Sequence, residues 1–553
     1  MKNIKVIRIV AASALMFLPL AAFSQIDPTV EVSRLYKVNV MEIEKPKSKD
    51  NQVADSLQKF ANTFDYSIFN KPCSDLYEFS PYQIDSIKKV ERKRPPYVMA
   101  RAGAQLPLAP EFLLKSQLVA KPKLNVGLNA ALSSFFGDLD YRGASDALNT
   151  NRLNTAVDAN LKHAWDNGEL DLVFGYKGDS YKDTYLNNSL NHNVNTFTFG
   201  FDVESAMTQD NSVYYNFAFN LDKTAKNLSG MPELDTTYNN TLLSLQGRVG
   251  SSFDKHRIYI DLIYKSAFFD NGEDKPNTGI LEFTPIYEYS QGRFKVKAGA
   301  RFGNTFINHD AQTTLHPEID CKVELIKNGL WLRGILAGGN DINSIVKYLH
   351  DAPWLCMGLK DGSYPVECNI GARNIDSKVS LESILAGRFA LSPFFSYCSY
   401  TDKMQFFTTF TSEGLPLLVP SFTDYDEMSV GAETSWKSKY LTITGSAQHN
   451  SFSSKSQDPL YLLPELEMSA SLEYNFKERV FLSASFHYES EKDTWLGEAM
   501  PEYMDLSAMA TYAINRHFSA YIKGGNLLNK QNFRYFAIPE MPRNIGGGVA
   551  VNF

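Results

Sequence analysis

The chain has 553 residues, of which 44% are hydrophobic, 21% charged and 13% aromatic, and its mean hydropathy is −0.27. This balance excludes an intrinsically disordered chain, and five cysteines in such a length exclude a disulfide-dense miniprotein. Lys and Arg number 55 against 62 Asp and Glu, a net charge of −7, so no basic excess points to nucleic acid.

Lys2, Lys5 and Arg8 precede an apolar run from Ile9 to Ala22, and the small residues Ala22 and Ser24 flank a cut before Gln25. This is the layout of a secretory signal over residues 1–24; loss of its three cations takes the chain from −7 to −10. No cysteine stands at the cut, so a lipoprotein anchor is not expected. Residues 25–96 read as a short, irregular periplasmic region with a short helix over Asp50–Lys59 and a stiff basic exit, Arg92-Lys93-Arg94-Pro95-Pro96. Within it Thr29-Val30-Glu31-Val32 could add as a strand to a periplasmic partner, although such β-prone segments are common in leaders with no partner.

After the signal no apolar stretch reaches about 18 residues, so no second hydrophobic helix is expected to cross a membrane. From Tyr97 to Phe553 period-two alternation recurs instead, the mark of strands with one apolar face. Leu124, Val126, Leu128 and Ala130 alternate with Asn125, Gly127 and Asn129. Phe197, Phe199, Phe201 and Val203 do so with polar neighbours, as do Ile258, Ile260, Leu262 and Tyr264. The clearest cases are Val480 to Tyr488 and Met504 to Tyr512.

A soluble sandwich would alternate in the same way, so the connections decide. Short joints such as Asp166–Gly168, Met207–Asp210, Asp254–Lys255, Ala390–Leu391 and Asn515–Arg516 take turns with longer polar segments. The longer ones include Gly137–Arg152, Asp179–Asn193, Asn340–Ser377 and Leu528–Arg543. The pattern predicts an all-β fold: a transmembrane antiparallel β-barrel over residues 97–553, of about 22 strands about 10 residues long, in the outer membrane. Hydrocarbon cannot satisfy an open sheet edge, so Tyr97–Gln105 is expected to pair with Ile545–Phe553. Val549, Val551 and Phe553 alternate on one face of that last strand and are expected to act as an assembly signal read by the barrel-insertion machinery. Trp165, Tyr176, Tyr264, Tyr488 and Tyr512 near strand ends would form interfacial girdles.

Before the terminal Phe553 stand Gly525-Asn526-Leu527-Leu528-Asn529-Lys530, Pro539, Pro542-Arg543 and Gly546-Gly547-Gly548. With the strand number, this region resembles the barrel of TonB-dependent outer-membrane receptors, which closes with an asparagine-leucine-phenylalanine-asparagine-lysine-like run and a proline-glycine-arginine-like turn. The glycine of that turn is absent here, and residues 25–96 are too short for the family's N-terminal plug. The resemblance implies a receptor-like barrel without the usual plug, taking part in solute transport across the outer membrane. The alternative is a structural or accessory subunit of an outer-membrane assembly or secretion complex, with a periplasmic or surface protein filling or covering the bore.

Few residues point to chemistry. His449 and Ser451 lie two apart and face one side of a strand, the layout of an outer-membrane hydrolase, but no asparagine is placed to orient the imidazole. His309, Asp310, His316, Glu318 and Asp320 match no tight metal spacing and read as a solvated loop and strand. Trp354, Phe406, Phe407 and Trp495 offer a sugar-stacking platform whose spacing nothing selects. Cys356 and Cys368 share the longest loop, where an exported chain could bridge them; Cys73, Cys321 and Cys398 are left over. No enzymatic activity, cofactor, metal or nucleic acid is expected. The expected partners are outer-membrane lipid, the barrel-assembly machinery during insertion and a protein at the bore.

Overall fold

The computed structural model describes residues 98–553 apart from 141–147, 186–187, 206–212, 231–235, 271–276, 309, 345, 357–368, 411–415 and 456–458. The signal segment, the periplasmic region with its short helix and Thr29–Val32, and also Cys73, His309 and Cys368, lie outside the described residues.

Period-two alternation gives strands, and these strands form one 22-stranded antiparallel sheet. The first arc comprises β1 (Val98–Leu106), β2 (Glu111–Lys121), β3 (Leu124–Leu139), β4 (Leu148–Trp165), β5 (Gly168–Tyr185), β6 (Asn188–Ser205), β7 (Val213–Ser229) and β8 (Thr236–Phe253). It continues through β9 (His256–Asp270), β10 (Asn277–Gln291), β11 (Phe294–Ile307), β12 (Asp310–Ile326), β13 (Leu330–Ile342), β14 (Ile370–Leu385), β15 (Phe389–Phe410) and β16 (Pro416–Lys437). Next come β17 (Leu441–Ser454), β18 (Leu466–Phe476), β19 (Val480–Glu489), β20 (Tyr503–Ala513) and β21 (Phe518–Gly525). A small hairpin of β22 (Phe533–Tyr535) and β23 (Ile538–Pro539) then precedes the final barrel strand, β24 (Asn544–Asn552). The barrel closes as expected: Met99 stands opposite Asn552 and Leu106 opposite Ile545.

The two faces separate as the alternation requires. In β9, Ile258, Ile260 and Leu262 are about half exposed while Tyr259 between them is buried. Exposed large apolar side chains come from nearly every strand, whereas ion pairs such as Arg248–Asp261, Lys297–Glu318 and Arg333–Asp320 stand on the other face. An apolar outer face around a closed sheet is the surface that hydrocarbon requires. Aromatic residues run up this face as well as ringing its ends. Phe174 packs on Phe199 with ring centroids 5.0 Å apart, Tyr176 on Phe197 at 5.0 Å, and Phe201 on Phe217 at 5.6 Å.

The strands are longer than the sequence pattern suggests, β15 and β16 having 22 residues each. Most of the expected loop Asp179–Asn193 is ladder, with Asp179 opposite Val194 and Tyr185 opposite Asn188. Beyond the bilayer both faces of a strand meet water, so polarity stops alternating while the backbone pairing continues. One turn is also misplaced: Ala390 and Leu391 lie inside β15, and the reversal occurs at Ala386 and Gly387, whose φ values are +50° and +64°.

The seam between β1 and β24 is crowded on its inner side. Tyr521 lies across it, almost fully buried, and a Cβ on Gly548 would come within 2.7 Å of its hydroxyl. That hydroxyl donates to Glu111 Oε1 at 2.6 Å, Lys523 pairs with the same carboxylate, and the Arg101 guanidinium sits 5.4 Å from the centre of the Tyr521 ring. Gly548 thus leaves room for a side-chain lock on the closing pair, and Gly546 and Gly548 let the β1 backbone approach closely.

A capped lumen as the candidate functional site

The end of the barrel with long connections is covered from within. The connection between β13 and β14 carries a single helical turn, α1 (Val346–Leu349), and then runs through Trp354, Leu355 and Cys356. This stretch is unusually apolar for an exposed loop, and it folds inward. It is stitched to the start of β16: the Cys356 amide donates to Leu418 O at 2.6 Å and the Leu418 amide to Trp354 O at 3.1 Å. Leu349, Trp354 and Leu355 join Met404, Leu418 and Ile538 in one buried cluster with Tyr181 of β5, Val194 of β6, Tyr238 of β8 and Phe269 of β9. Five strands separate β9 from β15, so a cluster holding side chains from both arcs spans the mouth.

Polar groups on the wall anchor this cap. Lys226 of β7, fully buried, donates from Nζ to the carbonyls of Pro353, at 2.7 Å, and Leu355. Trp354 Nε1 donates to Asp183 Oδ2 at 3.0 Å, and the Arg152 guanidinium lies 5.0 Å from the centre of the indole. His350 bridges Asp179 Oδ2 at 2.5 Å and Thr196 Oγ1 at 2.7 Å. The β22–β23 hairpin adds a third segment, fixed by Thr408 Oγ1 donating to Phe536 O at 2.9 Å. Buried carbonyls and an ammonium are costly unless paired, so these bonds make closure of the mouth specific. Burial in the cap pushes the Tyr535 phenol up to about 12 and raises that of Tyr348.

Beneath α1 lies a cavity of about 430 Å³ between the cap and the inner faces of β9 to β15. Lys265, Arg301, Lys347, Arg373 and Lys403 line it, against the carboxylates Glu318, Asp341 and Asp376. Asp341 takes Lys347 at 2.6 Å and Lys265 at 3.3 Å; Arg373 holds Asp376 at 2.8 Å; Arg301 holds Glu318 at 2.9 Å and Glu282 at 3.6 Å. Lys403 has no carboxylate within ion-pair distance among the described residues and lies 5.2 Å from the centre of the Tyr400 ring. Gly339 leaves space for Arg301, whose Nη1 a Cβ there would strike.

The residues singled out from sequence fall variously against this site. Cys356 is buried in the cap beside Leu190 and Leu417, while Cys368 is outside the described residues. Val549 and Phe553 are exposed on the outer face, and Phe553 exchanges main-chain bonds with Val98 at 2.8 and 3.2 Å. His449 and Ser451 share an exposed face, but no hydrogen bond joins them among the described residues; Asn450 between them is buried. Glu318 and Asp320 are taken by Lys297, Arg301 and Arg333, and no group among the described residues is arranged to hold a metal ion. Trp354 packs inside the cap, whereas Phe407 packs edge-on against an exposed Trp495 at 6.2 Å, so the structure does not bring these aromatics together as one platform. The anchors Asp179 and Asp183 fall in a stretch that reads as a polar loop, and Lys226 belongs to no motif, so no local signal marks any of the three as buried.

No protein-family model matches the chain, and no curated protein sequence matches it. Solved structures do resemble its fold. The siderophore receptor PirA from Acinetobacter baumannii aligns with a TM-score of 0.62 at 12% identity, over 83% of this chain and 80% of that one. The copper transporter OprC aligns with 0.59 at 12% identity, over 82% and 80%. The ferric-catecholate import receptor Fiu from K12 E. coli aligns with 0.58 at 11% identity, over 83% and 82%. At such identities the likeness is one of fold. With its closed sheet and apolar outer face, the chain is an outer-membrane β-barrel with the 22-strand fold of the TonB-dependent receptors.

Proposed function

We propose that the barrel carries a solute across the outer membrane through its lumen, with the cap formed by residues 346–356, the paired ends of β15 and β16 and the β22–β23 hairpin as the gate. The observation that carries this reading is the construction of the closure. It is built of external connections and held to the wall by discrete polar bonds around Lys226, Trp354 and His350. A closure of this kind can open without disturbing the sheet. A structural neighbour named as an import receptor supports uptake as the direction. In the same reading, Val549, Val551 and Phe553 serve insertion by the barrel-assembly machinery rather than transport.

The test is planar-bilayer recording on the purified chain and on a variant in which residues 346–355 are replaced by a short glycine-serine link. The intact protein is expected to stay closed and the variant to show a large, steady conductance. A variant that inserts and migrates as a folded barrel yet stays closed would overturn the gate. Stoichiometric recovery of a protein partner with that closed barrel would favour the accessory-subunit reading instead.

A further inference from the structure

We propose that the cavity under α1 is a binding site for a small organic dianion, with two negative oxygens at one end and a ring or apolar body at the other, as in a sugar phosphate or a dicarboxylate. This deepens the transport reading by naming the class of solute, and rests on it only for the direction of traffic.

Three observations carry the assignment. The first is charge: five cations face three carboxylates in the lining, an excess of two positive charges inside a chain whose net charge is −7. The local sign is opposite to that of the whole molecule, which raises the local concentration of anions. The second is an unanswered donor set. Lys403 meets no carboxylate among the described residues, and Arg301, although it holds two carboxylates, leaves its buried Nε without a hydrogen-bond partner. The remaining cations are held in place by Asp341, Asp376 and Glu318, which fixes their geometry before any ligand arrives. The third is shape. The volume of about 430 Å³ suits an organic solute, and Tyr348 of α1 and Tyr400 of β15 contribute aromatic rings to the lining. A solute with its anionic end among Lys403, Arg373 and Arg301, and its body against the tyrosines, would answer each of these features.

Isothermal titration calorimetry on the full-length protein in detergent tests this, with glucose 6-phosphate and succinate as the two dianion probes and glucose and acetate as controls. At least one dianion is expected to bind saturably and more tightly than either control. Lys403→Gln is expected to weaken that binding about tenfold or more, the effect of losing one charge-assisted hydrogen bond. Unheated gel migration checks that the variant barrel is folded. Should Lys403→Gln disturb folding, Lys403→Arg serves in its place and is expected to retain binding. Whichever dianion binds identifies the anionic group. The assignment is overturned if neither dianion binds, if glucose or acetate binds as tightly, or if folded Lys403→Gln binds like the unmodified chain. Binding is read here without transport, so its failure is separate from a failure of the bilayer recordings.

Discussion

Trp354→Ala isolates the cap from the barrel. The side chain is almost fully buried against Tyr181, whose ring centroid is 5.5 Å away, and it donates to Asp183. Burying an indole removes up to about 250 Å² from water, and truncating one to alanine costs about 3–5 kcal/mol. The lost donor adds to this, because Asp183 is buried and would keep only the Thr150 hydroxyl at 2.9 Å among its side-chain partners described here. On the gate reading proposed above, the cost falls on cap opening rather than on unfolding of the sheet. At about 1.4 kcal/mol per tenfold, hydrogen-exchange protection of the cross-bonded amides of Cys356 and Leu418 is expected to fall between about a hundredfold and a few thousandfold. Amides within β9 should be unaffected. A change below about threefold at Cys356 and Leu418 would refute the placement of Trp354 as the keystone of the cap, as would an equal loss of protection in β9.

Gly548→Val drives a branched side chain into Tyr521 and the facing strand. It is expected to destabilise the seam by about 1–3 kcal/mol or more, seen as a lower temperature for loss of the compact band on semi-native gels. In the cap, Tyr535 titrates at about 12 and Tyr348 above its ordinary value of 10.0, so closed-cap stability is whole below pH 10 and lost as pH rises toward 12. Conductance should therefore appear over that interval together with phenolate absorbance; a bore still closed after the phenols have ionised would count against burial as their cause. Deleting Phe553 is expected to slow insertion by the assembly machinery while leaving any inserted barrel closed at the seam, measured as the membrane-integrated fraction over time.

Most of the wall was legible in the sequence, for a physical reason. Wherever one face of a strand meets hydrocarbon and the other water, composition records the geometry residue by residue, as at Ile258 to Tyr264. The closing pair was legible because a membrane sheet must close and only the terminal strands remained to do so. The upper parts of β5 and β6 were not, since a ladder wet on both sides leaves no periodic signature. The cap was hidden for a different reason. Asp183 and Lys226 face the lumen like any solvated side chain, and nothing local distinguishes one that meets water from one that meets a returning loop. The apolar content of Leu349 to Cys356 was the available signal, but an apolar stretch in a long connection has the same composition whether it stays on the surface or folds into the mouth.

The seam has a consequence for the order of events in assembly. Its two strands come from opposite ends of the barrel sequence, so closure must wait until all the other strands are in place. The cap shares this lateness: Arg152 Nη2 donates to Pro539 O across 387 positions of the chain, and His350 meets Asp179 across 171. Contacts so distant in sequence form slowly. The connections must reach the far side of the membrane while the sheet is still an open curl, and the mouth can be sealed only after they arrive. Closing the wall and sealing the mouth are thus separate acts: the β1–β24 seam with its tyrosine lock completes the first, and the long-range contacts of the cap complete the second.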